Sequence, residues 1–370
     1  MALNTATDSR TVMTLDAGGT SFKFSAIRGN KAVIEPFRVP SQGDNLENCL
    51  KAIRDGFQKV KDSLSDNPVA ISFAFPGPAD YTRGIIGDLT NLPSFRGGVA
   101  LGPMLEKQFD IPVYINNDGD LFVYGEAIAG FLPHVNQLLA DAGSPKRYNN
   151  LFGVTLGTGF GAGITRNEEL FRGDNLSAAE IWLLRNKLNP ETYAEEGSCI
   201  RAVQRVYAQE AQISADSIPS PKDIYEISQG TREGNQKAAQ ISFESLGTVV
   251  GDAMAQALTL TDSLAVIGGG ISGAIDAFMP TLMGELNGTY LNPAGKKIPR
   301  LVQRCFHLAD PDQLSEFLAG ETREINIPGS TETLSYDPMP RIGVGKTILG
   351  TSEAVAIGAY SYALKQLTNK

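Results

Sequence analysis

Cysteine and histidine are scarce in this chain: 370 residues hold three of the first and two of the second. Cys49, Cys199 and Cys305 are scattered and include no C-x-x-C pair, so neither a disulfide framework nor a structural zinc site is expected, and all three read as ordinary buried thiols. His134 and His307 each stand alone, which excludes a histidine-built metal cluster. No G-x-S-x-G elbow accompanies either, which argues against a Ser-His-Asp hydrolase. Proton transfer must therefore fall to carboxylates. A basic excess is missing too, since the net charge is -9; nucleic acid and anionic membrane, which need a basic footprint, are disfavoured as partners. No run of about 18 or more apolar residues appears, and the N-terminal MALNTATDSR lacks the apolar core of a signal peptide, so a cytoplasmic protein is expected.

Glycine is plentiful, and it clusters in three turns behind strand-like runs. The first lies in TLDAGGTSFKFSAI, residues 14–27, where Val12, Met13 and Leu15 on one side and Phe22, Phe24 and Ile27 on the other read as two strands of a hairpin. The second, in NNLFGVTLGTGFGAGITRNEELF, repeats strand, turn, strand. The third, SLAVIGGGISGA, runs a strand into Gly268, Gly269 and Gly270. Each alone is a turn with a steric need for glycine. Together they resemble a nucleotide clamp, because clustered backbone N–H groups bind phosphate oxygens and glycine lets them approach closely. Thr20 and Thr158 add hydroxyl donors, and Asp16, at the end of the first strand, is placed to hold a hydrated magnesium ion beside a polyphosphate. Gly268, Gly270 and Gly273 also satisfy G-x-G-x-x-G. The stretch after them has Pro280, Pro293 and no convincing second strand, so a dinucleotide-binding unit is disfavoured.

Elsewhere the pattern alternates. A possible strand covers Lys31 to Val39, a helix Asn45 to Ser63 with Leu46, Leu50, Ile53 and Phe57 on one face, a strand VAISFAF, a helix Leu101 to Phe109, a strand IPVYIN and a helix LFVYGEAIAG. A second half begins near residue 130; helices are expected from about 178, at Ala202 to Glu210 and from Asn235 to Leu260. The alternation gives an α/β protein long enough for two domains.

The stretches DAGGTSFK, PGPAD, TNLPSFRG, INNDGDLFVYGEA, GVTLGTGFGAGI, ELFRGDNLSAAEI, VIGGGIS and GTSEAVAIGAYSYAL, in this order and spacing, resemble the ROK family of sugar kinases, within the superfamily of actin, the heat-shock chaperone ATPases and hexokinase. The resemblance implies two RNase H-like, actin-like ATPase domains facing a central cleft: residues 1–127 with 350–370, and residues 128–349 with an insertion near 295–345. It implies that Asp16, Gly18, Gly19, Thr20 and Lys23, with Gly157, Thr158 and Gly159, grip the phosphates of ATP, that Gly268, Gly269 and Gly270 lie beside the adenosine, and that Asp16 holds Mg2+ through water. Asn91, Asn117, Asp118, Glu180 and Glu191 would bind the sugar, with Asp118 as catalytic base. By pattern alone Asp118 serves equally as a helix N-cap, although Asp120 is the better candidate for that. The activity implied is ATP-dependent phosphorylation of a hexose or N-acetylhexosamine at O6, by a homodimer or higher homo-oligomer; the alternative is a catalytically inactive sugar-sensing regulator on the same fold.

Two departures from the family pattern stand out. After Glu180 the chain reads EIWLLRNKLNPETYA, with Trp182 and Leu183 where relatives carry glycine and histidine, and the family's cysteine motif is missing; Cys199 lies beyond it, so no structural zinc is expected. Trp182 is expected to fill the vacated space in preference to stacking on a sugar. The segment 295–345 reads as a strand-rich insertion, an oligomer contact or a substrate lid.

Overall fold

Asn45 accepts a hydrogen bond from the Asn48 N–H and so starts a helix whose buried stripe is Cys49, Ile53, Gly56, Phe57 and Val60. This is α1 (Leu46–Asp62) of a computed structural model that describes residues 4–89 and 92–369. The chain divides into two compact units: Met1–Gly130 with Glu168–Ala178 and Leu349–Lys370, and Phe131–Asn167 with Ala179–Ile348.

In the first unit β1 (Val12–Ala17) and β2 (Ser21–Arg28) form the expected hairpin, with Asp16 opposite Lys23. The single strand expected over 31–39 is two pieces, β3 (Lys31–Ala32) and β4 (Phe37–Pro40), both paired to β2; Pro36, which has no N–H to donate, lies in the break. Strand β5 (Ala70–Ala74) adds parallel to β1. A two-residue ribbon, β6 (Ala79–Asp80) with β7 (Ile85–Ile86), and α2 (Leu101–Phe109) follow, and β8 (Val113–Asn116) closes the order β3-β2-β1-β5-β8. Side chains alternate across β1: Met13 and Leu15 enter a core with Phe57 of α1 and Leu105 of α2, while Val12 faces the C-terminal helix through Tyr360 and Leu364. Asp16 shares the parity of Val12.

Helix α3 (Asp118–Ile128) begins directly behind β8. It lies against the C-terminal helix, Thr351–Thr368, so closely that a Cβ on Gly125 would stand 2.0 Å from the Ala354 carbonyl oxygen and one on Gly358 2.0 Å from that of Leu121. Backbone-to-backbone contact of this kind fixes where α3 starts, and so where Asp118 stands. Segment 168–178 also belongs to this unit: its short strand β11 (Glu169–Leu170) offers Glu169 to Lys365 at 2.6 Å, and Arg172 donates to Asn116.

The second unit opens with a helix the sequence pattern did not single out, α4 (Phe131–Asp141), which buries Leu132, Val135 and Leu139. Then β9 (Asn150–Leu156) and β10 (Phe160–Arg166) form the second hairpin. Helices were expected from about 178, but this stretch is irregular up to α5 (Glu195–Ser198). It holds only a single 3-10 turn at Ile181–Leu183, and the buried Asn186 side chain accepts from the N–H groups of Leu188 and Asn189, competing with helical bonding. Helices α6 (Ile200–Ala211), α7 (Pro221–Ser228) and α8 (Gln236–Thr261) follow, then β12 (Leu264–Gly268) and α9 (Ile275–Leu286), which carries Pro280 inside it.

The segment 295–345 is not one appended piece. Its strands β15 (Arg304–His307) and β18 (Arg341–Lys346) belong to the central sheet, which runs β10-β9-β12-β18-β15 and is parallel beyond the hairpin. α10 (Pro311–Ala319) packs on β15. Only two ribbons stand apart: β13 (Thr289–Leu291) with β14 (Lys297–Pro299), and β16 (Arg323–Asn326) with β17 (Thr333–Tyr336). Both units thus show an antiparallel hairpin continued by parallel strands, the α/β pattern expected of RNase H-like domains. Among the described residues no helix is long and apolar enough to cross a membrane.

Candidate active site

In the first unit, the turn between β1 and β2 is held from one side. Gly18 N–H bonds back to the Ser21 carbonyl at 3.1 Å, the Ser41 hydroxyl donates to the Gly19 carbonyl, and the Ser41 N–H donates to the Thr20 carbonyl at 3.1 Å. Ser41 is buried, so these bonds are shielded from competing water. The N–H groups of Gly19 and Thr20 have no protein partner among the described residues, and both residues are exposed. With the Gly19 and Thr20 carbonyls tied back, the turn offers two adjacent donors, as an anion requires. Asp16 and Lys23, opposite one another on the adjoining strands, line a cavity of about 450 Å³ and remain open to a ligand.

Asn117 and Asp118 stand where β8 gives way to α3. Asn117 is the N-cap: its Oδ1 accepts from Gly119 N–H at 2.8 Å, and Asp118 Oδ1 shares that donor at 2.9 Å. Asp120, the better cap candidate by pattern, is instead the third helical residue and is buried, because the helix begins at Asp118 and not after Asp120 as that reading requires. Asp118 is thus free of the capping role. Its surface is open to solvent, yet enough protein surrounds it that desolvation raises its carboxyl above the ordinary carboxylate range; the bond from Gly119 opposes the rise, and the negative charge of Asp16 adds to it. Asn91, the other expected sugar contact of this unit, lies outside the described residues.

In the second unit, every carbonyl of the turn Gly157–Thr158–Gly159 is engaged. Gly159 O accepts from Gly157 N–H at 3.0 Å, Gly157 O from Ile200 N–H at 2.9 Å, and Thr158 O from the Arg201 guanidinium at 3.3 Å. Phe160 N–H donates to Glu195 Oε2 at 2.9 Å. The N–H groups of Thr158 and Gly159 are left without a protein partner among the described residues, and Thr158 is exposed. Arg201 also pairs with Glu195 at 2.8 Å and Glu196 at 2.7 Å; these bonds, Glu195 first, raise its guanidinium further above its ordinary value, and Arg201 in turn holds the Glu196 carboxyl below the usual range. The third glycine run adjoins the same turn, since β12 pairs with β9 so that Gly268 lies opposite Thr155. Gly269, at φ 86°, passes so near that a Cβ would stand 2.2 Å from the Leu156 carbonyl oxygen, and Gly270 faces open space.

Glu180 is exposed and receives a hydrogen bond from the Trp182 indole N–H. The indole in turn packs edge-on against Tyr193 at 5.6 Å and touches the unit's core, in keeping with a space-filling role. Glu191 sits exposed at the tip of the same irregular segment, just before the backbone bridge that Tyr193 makes with Arg185. Sequence reasoning missed Glu195 and Arg201. No motif marks them, because the turn they hold lies 35 and 43 residues earlier in the chain.

A magnesium ion fits the residues present. Among the described residues no group of three His, Cys, Asp or Glu side chains could cage a metal, but Mg2+ characteristically keeps its waters and takes one or two carboxylates plus phosphate oxygens, and Asp16 is an open carboxylate beside the first turn. The segment 180–194 supplies neither thiolate nor imidazole.

A family model described as the ROK family matches residues 12–305. The solved glucokinase of Parabacteroides distasonis ATCC 8503 is 50% identical, with a TM-score of 0.90 over 98% of this chain and 99% of that one. The glucokinase of Thermotoga maritima is 23% identical over 302 residues, 73% of this chain and 89% of its own length. A ROK family glucokinase from Streptomyces griseus, solved in complex with glucose and AMPPNP, is 18% identical with a TM-score of 0.60 over 94% of this chain and 98% of that one, a likeness of fold alone.

Proposed function

Since this chain belongs to the ROK family and is a sugar kinase, we propose that it transfers the γ-phosphoryl group of ATP to the O6 hydroxyl of glucose or a closely related hexose or N-acetylhexosamine. Phosphoryl transfer needs an aligned nucleophile, neutralised phosphate oxygens and an acceptor for the hydroxyl proton. Asp118 is the acceptor: its raised carboxyl lies nearer the working pH than an ordinary aspartate, which strengthens it as a base. Asn117, Asn91, Glu180 and Glu191 orient the sugar hydroxyls. The free amides of Gly19 and Thr20 in one unit, and of Thr158 and Gly159 in the other, take phosphate oxygens; Lys23 adds positive charge, and Gly268 to Gly270 flank the adenosine. Magnesium held through water by Asp16 would neutralise charge on the phosphates. The two turns with tied carbonyls and untied amides carry this reading. The same reading makes the protein cytoplasmic and a homo-oligomer, which light scattering would check.

A coupled ADP-release assay across glucose, mannose, fructose, N-acetylglucosamine and N-acetylmannosamine tests it. Glucose-dependent ADP release is expected, with slow ATP hydrolysis when sugar is absent. Sugar binding with no ADP release would make the chain a sensor and overturn the proposal.

A further inference from the structure

Free amides at a turn bind an anion only if the turn holds them there. The second turn has no serine behind it, and its own hydrogen bond, Gly157 N–H to Gly159 O, uses one amide and one carbonyl. The Ile200 N–H ties the Gly157 carbonyl, and what fixes the remainder is charged. Glu195 takes the Phe160 N–H, and the Arg201 guanidinium reaches the Thr158 carbonyl while it holds the other oxygen of Glu195. A Cβ on Gly159 would stand 2.7 Å from Glu195 Oε2, so the carboxylate lies directly against the turn. The far side is secured as well: Glu196 binds Arg201, accepts from the Tyr193 hydroxyl at 3.3 Å and pairs with Arg205 at 3.1 Å.

We propose that Glu195 and Arg201 are positioning residues for the nucleotide: they hold the carbonyl of Thr158 and the amide of Phe160 back, so that the N–H of Gly159, which shares a peptide with that carbonyl, presents itself to the phosphates of ATP beside the Thr158 N–H, whose own peptide the Ile200 N–H fixes through the Gly157 carbonyl. Neither side chain need touch the nucleotide. An unrestrained turn would rotate the Thr158 peptide and set a carbonyl oxygen where phosphate oxygen must come, which is repulsive. The Glu195 carboxylate is itself negative, and Arg201 neutralises it so that its nearness does not repel the ligand. This inference rests on the reading of the turn as a phosphate site and adds the residues that make it one.

The test compares Glu195→Ala, Glu195→Gln, Arg201→Met and the double variant Glu195→Ala/Arg201→Met with the unaltered chain. It uses KM for ATP and for glucose, kcat, and the Kd of Mg-ATP by calorimetry, after melting curves confirm folding. Glu195→Ala and Arg201→Met should each weaken ATP by about tenfold, the worth of one charge-assisted hydrogen bond, with KM for glucose changed by less than about twofold. Glu195→Gln keeps an acceptor for Phe160 N–H and should recover most of the loss. The double variant should be little worse than either single one, because the two act as a unit. The proposal is overturned by unchanged ATP affinity in Glu195→Ala, by an equal or larger rise in KM for glucose, or by Glu195→Gln being as impaired as Glu195→Ala. Failure of the kinase reading would look different: no sugar would support ADP release by the unaltered chain, while calorimetry would still report whether the brace governs ATP binding.

Discussion

The turn at Gly18–Thr20 and the turn at Gly157–Gly159 offer the same chemistry, two adjacent free amides beside a threonine hydroxyl, and hold it by different means. The first is tied by Ser41, a neutral, buried residue in the loop that follows the neighbouring strand β4. The second is tied by Glu195 and Arg201, the latter with 45% of its side chain exposed. A hairpin supplies the amides in both cases, but nothing in the hairpin dictates what restrains its carbonyls. The units differ in a second respect: the first carries the proposed base, Asp118, as well as a turn, whereas the second contributes a grip. Loss of Asp118 should therefore reach kcat, and lesions in the support of either turn should appear mainly in KM for ATP.

The largest expected effect is that of Asp118→Asn. The amide can keep the bond from Gly119 but cannot accept a proton, so kcat should fall by about 10²- to 10⁴-fold with KM for sugar little changed, as initial rates would show. The same substitution should raise the melting temperature near neutral pH. A carboxyl whose folded pKa is raised penalises the folded state wherever it is ionised, so the gain should be full above that pKa and vanish once pH falls below the ordinary aspartate value. Equal kcat in both proteins would remove Asp118 from the chemistry.

Next in size is Gly159→Ala. The new methyl group displaces the Glu195 carboxylate, and KM for ATP should rise by about tenfold, comparable with the loss of one charge-assisted hydrogen bond. Ser41→Ala removes a neutral bond to Gly19 from the other turn and should raise KM for ATP by about fivefold, since a neutral hydrogen bond contributes about 1 kcal/mol. Steady-state kinetics at fixed saturating glucose measures both, and a larger effect of Ser41→Ala would reverse the contrast between neutral and charged support. The smallest effect is one of position: because Asp118 must be ionised to act, the acid limb of kcat/KM should lie above the ordinary carboxylate range. An acid limb at or below that range would mean that the raised carboxyl is not the group being titrated.

How much of this could be read from the sequence depends on the distance between partners. The two hairpins, α1 and α2 are set by residues within a few positions of one another, and their patterns were legible. Asn117 took the cap from Asp120 because β8 ends at Asn116 and the helix follows at once, a boundary that capping preference alone does not resolve. The stretch after 178 carries apolar residues that invite a helix, but the Asn186 side chain and Trp182 bind locally and hold it open. β15 and β18 looked like parts of an insertion because short strands buried in a parallel sheet show no alternation, and each gains its identity from a partner more than a helix away. Glu195 and Arg201 left no trace for the same reason.

Phosphorus NMR of the purified protein with Mg-ATP and glucose tests the central assignment most directly. The unaltered chain should convert the γ-phosphate into a phosphomonoester in step with ADP, and Asp118→Asn should bind ATP with near-normal affinity while yielding almost none. Inorganic phosphate appearing in place of the ester, or an undiminished ester signal from Asp118→Asn, would contradict it.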